Sequence, residues 1–180
     1  WWGYGRDAQH GAQGAVATQA LSRVQWSTAM DLLPQYSSGG GLLIHYGSPV
    51  VTAKNTVIIP VKTGATDGFR FDARAGGTGA MLWSAPTDYV LPPHRWIPSY
   101  GMVLTPANRL YAPGSGGKLL WRSDADSTTA TNQTAVFYGA SVYNAAKAAC
   151  DASIFIHTPL TSDASGNIFF GFMATAGNPA

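Results

Sequence analysis

The chain has 180 residues, enough for one ordinary domain or for part of a larger ring of repeated units. Only 11% of the residues are charged, all nine acidic residues are Asp, and the 21 glycines and 11 prolines exceed their usual share. This composition favours strands and turns over a charged helical bundle, which draws on Glu, Lys and Arg. A net charge of +2 without a basic run gives no indication of nucleic-acid binding, and no apolar run is long enough to span a membrane.

Since the sequence starts at Trp1 and not at Met, we expect that a leader has been removed, although a trimmed chain would look the same. Cys150 is the only cysteine, which excludes a disulfide within the chain.

Three segments of the chain share one plan: a short apolar strand, a polar turn, and a second strand rich in β-branched or aromatic residues. They begin at Pro49, Met102 and Pro159, which are spaced 53 and 57 residues apart. Each segment reads as a β-hairpin, the third with a turn that is one residue longer. The spacing slightly exceeds the ~40–50 residues of a four-stranded propeller blade, which predicts insertions between the hairpins.

A second element follows the first two hairpins and ends in Gly-x-x-x-Trp. In residues 69–83 the Gly and Trp of this motif are Gly79 and Trp83. In a shorter version over residues 114–121 they are Gly117 and Trp121. Glycine permits the positive-φ turn, and the Trp then arrives at a fixed place on the returning strand. There it is able to cover the edge between neighbouring sheets.

The remaining segments are less regular. Residues 88–100 carry three prolines, and residues 123–133 are polar without periodicity, so both are predicted to be long connections. Residues 143–152 are the only plausible helical turn, which we expect to be a surface insertion.

Residues 73–83 resemble the tryptophan-docking repeat of quinoprotein-like (PQQ-like) β-propellers, Ala-x-Asp-x-x-Thr-Gly-x-x-x-Trp. Four positions match and one, Ala75, stands where the family has Asp; the matching residues are Ala73, Thr78, Gly79 and Trp83. The second copy keeps only Gly117 and Trp121.

The start of the chain adds to this resemblance. Residues 1–10 are similar to the Trp-x-x-Phe-Gly-x-Asp-x-x-His opening of the same family, and residues 21–26 resemble its first strand. We expect His10 to cap or bond the edge of a blade.

The resemblance implies an all-β fold of four-stranded antiparallel blades packed radially, with each Trp seated between adjacent blades. At this spacing residues 1–180 supply roughly three to four blades, whereas a propeller has about 4–8. We therefore expect a single-domain, N-terminal portion of a longer propeller, whose incomplete ring is completed by the same polypeptide or by a second chain. The alternative is a self-contained small β-barrel or sandwich.

Quinoprotein dehydrogenases hold a quinone and a calcium ion near the propeller axis through Glu, Asn and Asp, often with a vicinal Cys pair. This chain has no Glu and one Cys, so the resemblance assigns no catalytic, cofactor-binding or metal-binding residue. Asp124-Ala-Asp126 resembles the start of a calcium loop but lacks the later Gly and the distal acid, which favours a polar turn.

The candidate binding loop is His94-Arg95-Trp96, on a proline-stiffened connection. Rigid aromatic and Arg groups are favoured in recognition sites, and loops carry function more often than strands do. The competing interpretation is that Trp96 and Tyr100 pack under a neighbouring blade.

We expect a non-catalytic, rigid platform that binds a protein, glycan or small ligand, in the periplasm of a bacterium or secreted from it. One alternative is a dehydrogenase that uses PQQ and calcium and has its catalytic residues outside this segment. The other is a structural component of an extracellular assembly, which low charge would suit.

Overall fold

The computed structural model describes residues 1–14, 20–30, 47–63, 68–90, 92 and 100–179. Within them lie twelve strands, two short α-helices and a single 3₁₀ turn at Ser115–Gly117. The strands are β1 (Val50–Val51), β2 (Thr56–Lys62), β3 (Phe69–Ala75), β4 (Met81–Thr87), β5 (Val103–Leu104), β6 (Leu110–Pro113), β7 (Lys118–Arg122), β8 (Gln133–Val136), β9 (Ile154–Ile156), β10 (Thr161–Ser162), β11 (Ile168–Phe169) and β12 (Phe172–Ala174). The helices are α1 (Ala140–Ala145) and α2 (Lys147–Ser153).

The strands form four antiparallel sheets. Two of them have four strands in chain order, β1-β2-β3-β4 (the first sheet) and β5-β6-β7-β8 (the second sheet). The other two are the pairs β10-β11 and β9-β12. The described residues are mostly β, which agrees with the expected class, and their sheets do not close into a ring.

All three predicted hairpins form, and their turns use the same hydrogen bonds. The backbone N–H at the end of each turn donates to a side-chain oxygen at its start: Thr56 to Thr52 (3.1 Å), Arg109 to Thr105 (3.2 Å) and Asn167 to Asp163 (2.9 Å). The fourth residue of each turn has positive φ; these residues are Asn55, Asn108 and Gly166. The third turn is therefore no longer than the others, and the extra residue lies before it.

The first and second sheets pack face to face. Their shared core contains Phe71 and Trp83 from the first sheet and Leu104 and Leu110 from the second, with Tyr100 from the connection between them. Burial of this apolar surface is the main force that holds the two sheets together.

The opposite face of the second sheet packs against the third hairpin. Val103 and Leu119 from the second sheet form a cluster with Ile156 and Leu160. Val103 and Leu104 are both buried because β5 has a packed unit on each side. The molecule is thus a series of three β units, stacked in chain order.

The predicted helical turn is two short helices, which bury Tyr143 and Cys150 against Ile154. They lie at the surface, as expected, and pack onto the turn between β6 and β7, where the Ser115 hydroxyl donates to Asp151 Oδ1 (2.9 Å). None of the helices in the described ranges has the length and apolarity needed to cross a bilayer.

Candidate functional site

Two tryptophans dock in the same way on the first and second β units, Trp26 from the segment before the first sheet and Trp83 from the first sheet itself. The indole N–H of Trp26 donates to the carbonyl oxygen of Gly76 (2.7 Å), in the turn between β3 and β4. The indole N–H of Trp83, on β4, donates to the carbonyl oxygen of Ala125 (3.0 Å), in the loop between β7 and β8. Each ring therefore docks on the corresponding turn of the unit that follows it.

Backbone bonds establish that these two turns correspond. Gly76 N–H donates to Asn55 O (2.8 Å), and Ala125 N–H donates to Asn108 O (3.0 Å). Asn55 and Asn108 hold the same place in their hairpins. Gly76 and Ala125 are therefore equivalent positions, which aligns residues 73–79 with residues 122–128.

Trp83 is almost fully buried at this junction. It lies opposite Ala73 in the β3–β4 ladder, and the guanidinium of Arg122 lies 4.0 Å from the centre of its indole ring. Arg122 is itself buried and donates to Ser127 O (2.9 Å). A desolvated cation–π contact of this kind contributes about 2 kcal/mol.

The predicted residues Thr78 and Gly79 shape the turn on which Trp26 docks. Thr78 Oγ1 accepts a hydrogen bond from Ala80 N–H (3.3 Å). Gly79 has φ +73°, and a Cβ at this position would lie 2.6 Å from Cε3 of Trp26. Only glycine permits both this backbone conformation and the close approach of the indole.

Gly117 and Trp121 lie at a different place in their sheet from Gly79 and Trp83. Gly117 belongs to the turn between β6 and β7, and Trp121 lies on the third strand of its sheet, not the fourth. The Trp121 ring is half-buried and stacks on Tyr111 of its own sheet, with the ring centres 6.3 Å apart. When the alignment of residues 73–79 with residues 122–128 is continued along the chain, the counterpart of Trp83 is Asn132.

Residues at the start of the chain cross the first strands of all three hairpins. Trp1 O accepts from Val51 N–H (2.8 Å), and Trp2 O accepts from Leu104 N–H (2.6 Å). His10 Nε2 lies 3.1 Å from Thr161 Oγ1, at the start of β10 in the third hairpin. This segment therefore joins the three units along one side.

A cleft of about 230 Å³ opens where Trp2 passes between the turns of the first two hairpins. We call it the hairpin cleft. Its polar lining comes from both hairpins and from the loop after β7: Thr52, Lys54, Thr105, Asn108 and Asp126. Trp2, Leu104 and Pro106 supply apolar surface.

Asp126 ties the two hairpins together at the base of the cleft. Its Oδ1 accepts a hydrogen bond from the Thr52 hydroxyl (2.7 Å), and its Oδ2 accepts one from Asn108 Nδ2 (2.8 Å). Asn108 Nδ2 also donates to Asp124 Oδ1 (2.8 Å). Asp124 and Asp126 lie in the turn that the sequence indicates, and the carboxylates of both accept hydrogen bonds from the side-chain amide of Asn108.

These contacts keep Asp126 ionised. Burial works to raise its pKa, but hydrogen bonds from Thr56, Thr52 and Asn108, with the nearby charge of Lys54, hold that pKa below its ordinary value. The cleft thus combines a fixed carboxylate with an exposed ammonium group.

Sequence reasoning did not assign this cleft. A Thr or Asp followed three residues later by Asn or Gly recurs in all three turns, and this repetition was the available signal. The predicted binding loop, His94, Arg95 and Trp96, lies outside the described residues.

Comparisons with protein-family models, curated proteins and solved structures gave no match. Within the part of the chain that the structure describes, no group of three or more His, Cys, Asp or Glu side chains is arranged to hold a metal ion.

Proposed function

We propose that the chain is part of a quinoprotein-like β-propeller and serves as a rigid, non-catalytic binding platform in the periplasm or outside the cell. The observation that carries this proposal is the repeated docking of an indole, Trp26 on Gly76 O and Trp83 on Ala125 O. Repetition of one contact on the first and on the second β unit supports a regular stack, as a propeller requires. Further units, from the same polypeptide or from a second chain, complete the ring.

The hairpin cleft is the binding site of this platform. Its two walls belong to different β units, so its shape depends on how rigidly these units dock. A general base works best when its pKa lies near the working pH. The lowered pKa of Asp126 therefore favours binding over proton transfer.

The non-catalytic role is tested by adding pyrroloquinoline quinone and calcium to the purified protein. We expect neither a bound-quinone absorption band nor calcium-dependent dye reduction with alcohols or sugars. Appearance of both would overturn the proposal in favour of the dehydrogenase.

Rigid docking is tested by hydrogen exchange of the backbone amides. We expect Trp83→Ala to accelerate exchange at Ala125 and Asp126 about tenfold or more, because it removes the ring that holds this loop. Trp121→Ala is the matched control, since it removes an indole that stacks within its own sheet. Unchanged exchange in Trp83→Ala would contradict the proposal.

A further inference from the structure

We propose that the hairpin cleft binds one neutral sugar residue of a glycan, stacked on Trp2. This inference rests on the proposed function, because it names the ligand class of the platform. It is argued from the size, the exposed aromatic surface and the polar groups of the cleft.

The size of the cleft limits the ligand. Pockets for drug-sized molecules have volumes of about 300–1,000 Å³. A cleft of about 230 Å³ is smaller and suits a single ring, with the rest of a longer molecule outside.

Trp2 supplies an aromatic surface that the fold leaves uncovered. Its backbone is fixed by hydrogen bonds to Leu104 and Arg6, yet the residue is 46% exposed. A pyranose has an apolar face of C–H groups, and stacking this face on the indole removes apolar surface from water. A fixed backbone also reduces the entropy that binding costs.

The polar groups match hydroxyl groups, which both donate and accept hydrogen bonds. Both N–H groups of the Asn108 amide are used by Asp124 and Asp126, so its carbonyl oxygen is the atom left to accept. Each carboxylate oxygen of Asp126 has more than one lone pair, so it accepts a ligand hydroxyl in addition to its present donors. The exposed ammonium group of Lys54 is the donor.

The charges of the cleft favour a neutral ligand. Lys54 and Asp126 both line the cleft, and their opposite charges offset each other. An anionic ligand would meet the Asp126 carboxylate, which is ionised at neutral pH. A uronate or a phosphate is therefore disfavoured relative to an uncharged hexose.

The experiment is a titration of the whole protein with neutral glucan, mannan, galactan and chitin oligosaccharides, followed by Trp fluorescence and calorimetry. Polygalacturonate fragments and inorganic phosphate are the anionic probes. We expect at least one neutral oligosaccharide to bind and to change the fluorescence. We expect Trp2→Ala to weaken this binding about tenfold or more, and Lys54→Ala to weaken it severalfold.

Trp1→Ala is the matched control, because Trp1 is 43% exposed and does not line the cleft. We expect it to retain the affinity. Trp2→Phe keeps an aromatic ring and should retain most of the binding even if Trp2→Ala folds poorly.

Failure of every neutral oligosaccharide to bind, equal binding by wild type and Trp2→Ala, or tighter binding of an anionic probe would overturn the sugar site. None of these results changes the exchange behaviour expected for Trp83→Ala. The platform would then stand without this ligand, whereas unchanged exchange would remove the platform itself.

Discussion

The indole of Trp83 reaches from the first sheet to the second, where its N–H donates to Ala125 O at 3.0 Å. Trp83 is 7% exposed, and the guanidinium of Arg122 lies over its ring. Trp83 therefore contributes both buried apolar surface and a hydrogen bond to the junction between the two sheets.

We expect Trp83→Ala to lower the free energy of unfolding by about 3–5 kcal/mol, because it opens a cavity between the sheets. Trp83→Phe keeps a ring and should lose less, although it leaves Ala125 O without its donor. Trp121→Ala removes a half-buried ring and should cost clearly less than Trp83→Ala. Urea unfolding of the three variants measures these differences, and equal losses for Trp83→Ala and Trp121→Ala would contradict a special role for the junction.

Gly79 and Gly77 offer a matched pair within one turn. A Cβ at Gly79 would lie 2.6 Å from the Trp26 ring at a backbone φ of +73°, whereas a Cβ at Gly77 would meet no atom within 4 Å. We expect Gly79→Ala to cost about 1–3 kcal/mol from strain and displacement of the indole, and Gly77→Ala to change stability little.

Urea unfolding and near-UV circular dichroism, which reports the packing of Trp26, check this pair. If Gly79→Ala matched Gly77→Ala in both measurements, the tight approach of the indole would not be a determinant of the fold.

The three hairpins could be predicted because strand, turn and strand are local patterns. The position of Trp121 could not be predicted. The Gly-x-x-x-Trp motif recurs in the sequence, but the feature that recurs in the structure is a set of backbone hydrogen bonds at other residues. Ala125 and Gly76 are equivalent through carbonyl oxygens of Asn108 and Asn55, and such bonds leave almost no trace in side-chain identity. Two features hide this correspondence in the sequence. Asn132 takes the place of a Trp, and the chain from Asn108 to Ala125 is shorter than the chain from Asn55 to Gly76.

The hairpin cleft was also beyond sequence reasoning. Thr52 and Asp126 are 74 residues apart in the chain and meet only after the first two units have docked. Trp2 joins them because the start of the chain adds to the edges of two different hairpins. Local sequence patterns carry no information about such contacts between residues that are far apart in the chain.

Thr52 and Thr105 hold the same place in two hairpins and differ in one contact. Both accept a hydrogen bond from the N–H at the end of their turn, but Thr52 also donates to the carboxylate of Asp126. Hydrogen bonds to charged groups contribute about 1.5–3 kcal/mol, and neutral ones about 1 kcal/mol. We therefore expect Thr52→Ala to destabilise the protein more than Thr105→Ala.

Urea unfolding of these two variants, combined with Asp126→Asn in a double-mutant cycle, isolates the contact. The coupling energy should be clear for Thr52 with Asp126 and near zero for Thr105 with Asp126. Similar couplings for the two threonines would show that Asp126 does not join the first hairpin specifically.

The lowered pKa of Asp126 predicts a dependence of stability on pH. Its carboxyl binds a proton less readily in the folded chain than in the unfolded chain, where an Asp has a pKa of about 3.9. The stabilisation is therefore fully present above about pH 4 and is lost as the pH falls through the folded pKa, because the unfolded state then binds more protons. Asp126→Asn removes this contribution, so the fall in stability below about pH 4 should be shallower than in wild type.

Part of the acid sensitivity should remain in Asp126→Asn, since hydrogen bonds from Asn167 also hold the pKa of Asp163 below its ordinary value. Urea midpoints measured across a series of pH values test this prediction. Asp7→Asn controls for the removal of a carboxylate outside the hairpin cleft. A pH profile of Asp126→Asn parallel to that of wild type would mean that the carboxylate does not gain its hydrogen bonds on folding and does not stabilise the junction of the two hairpins.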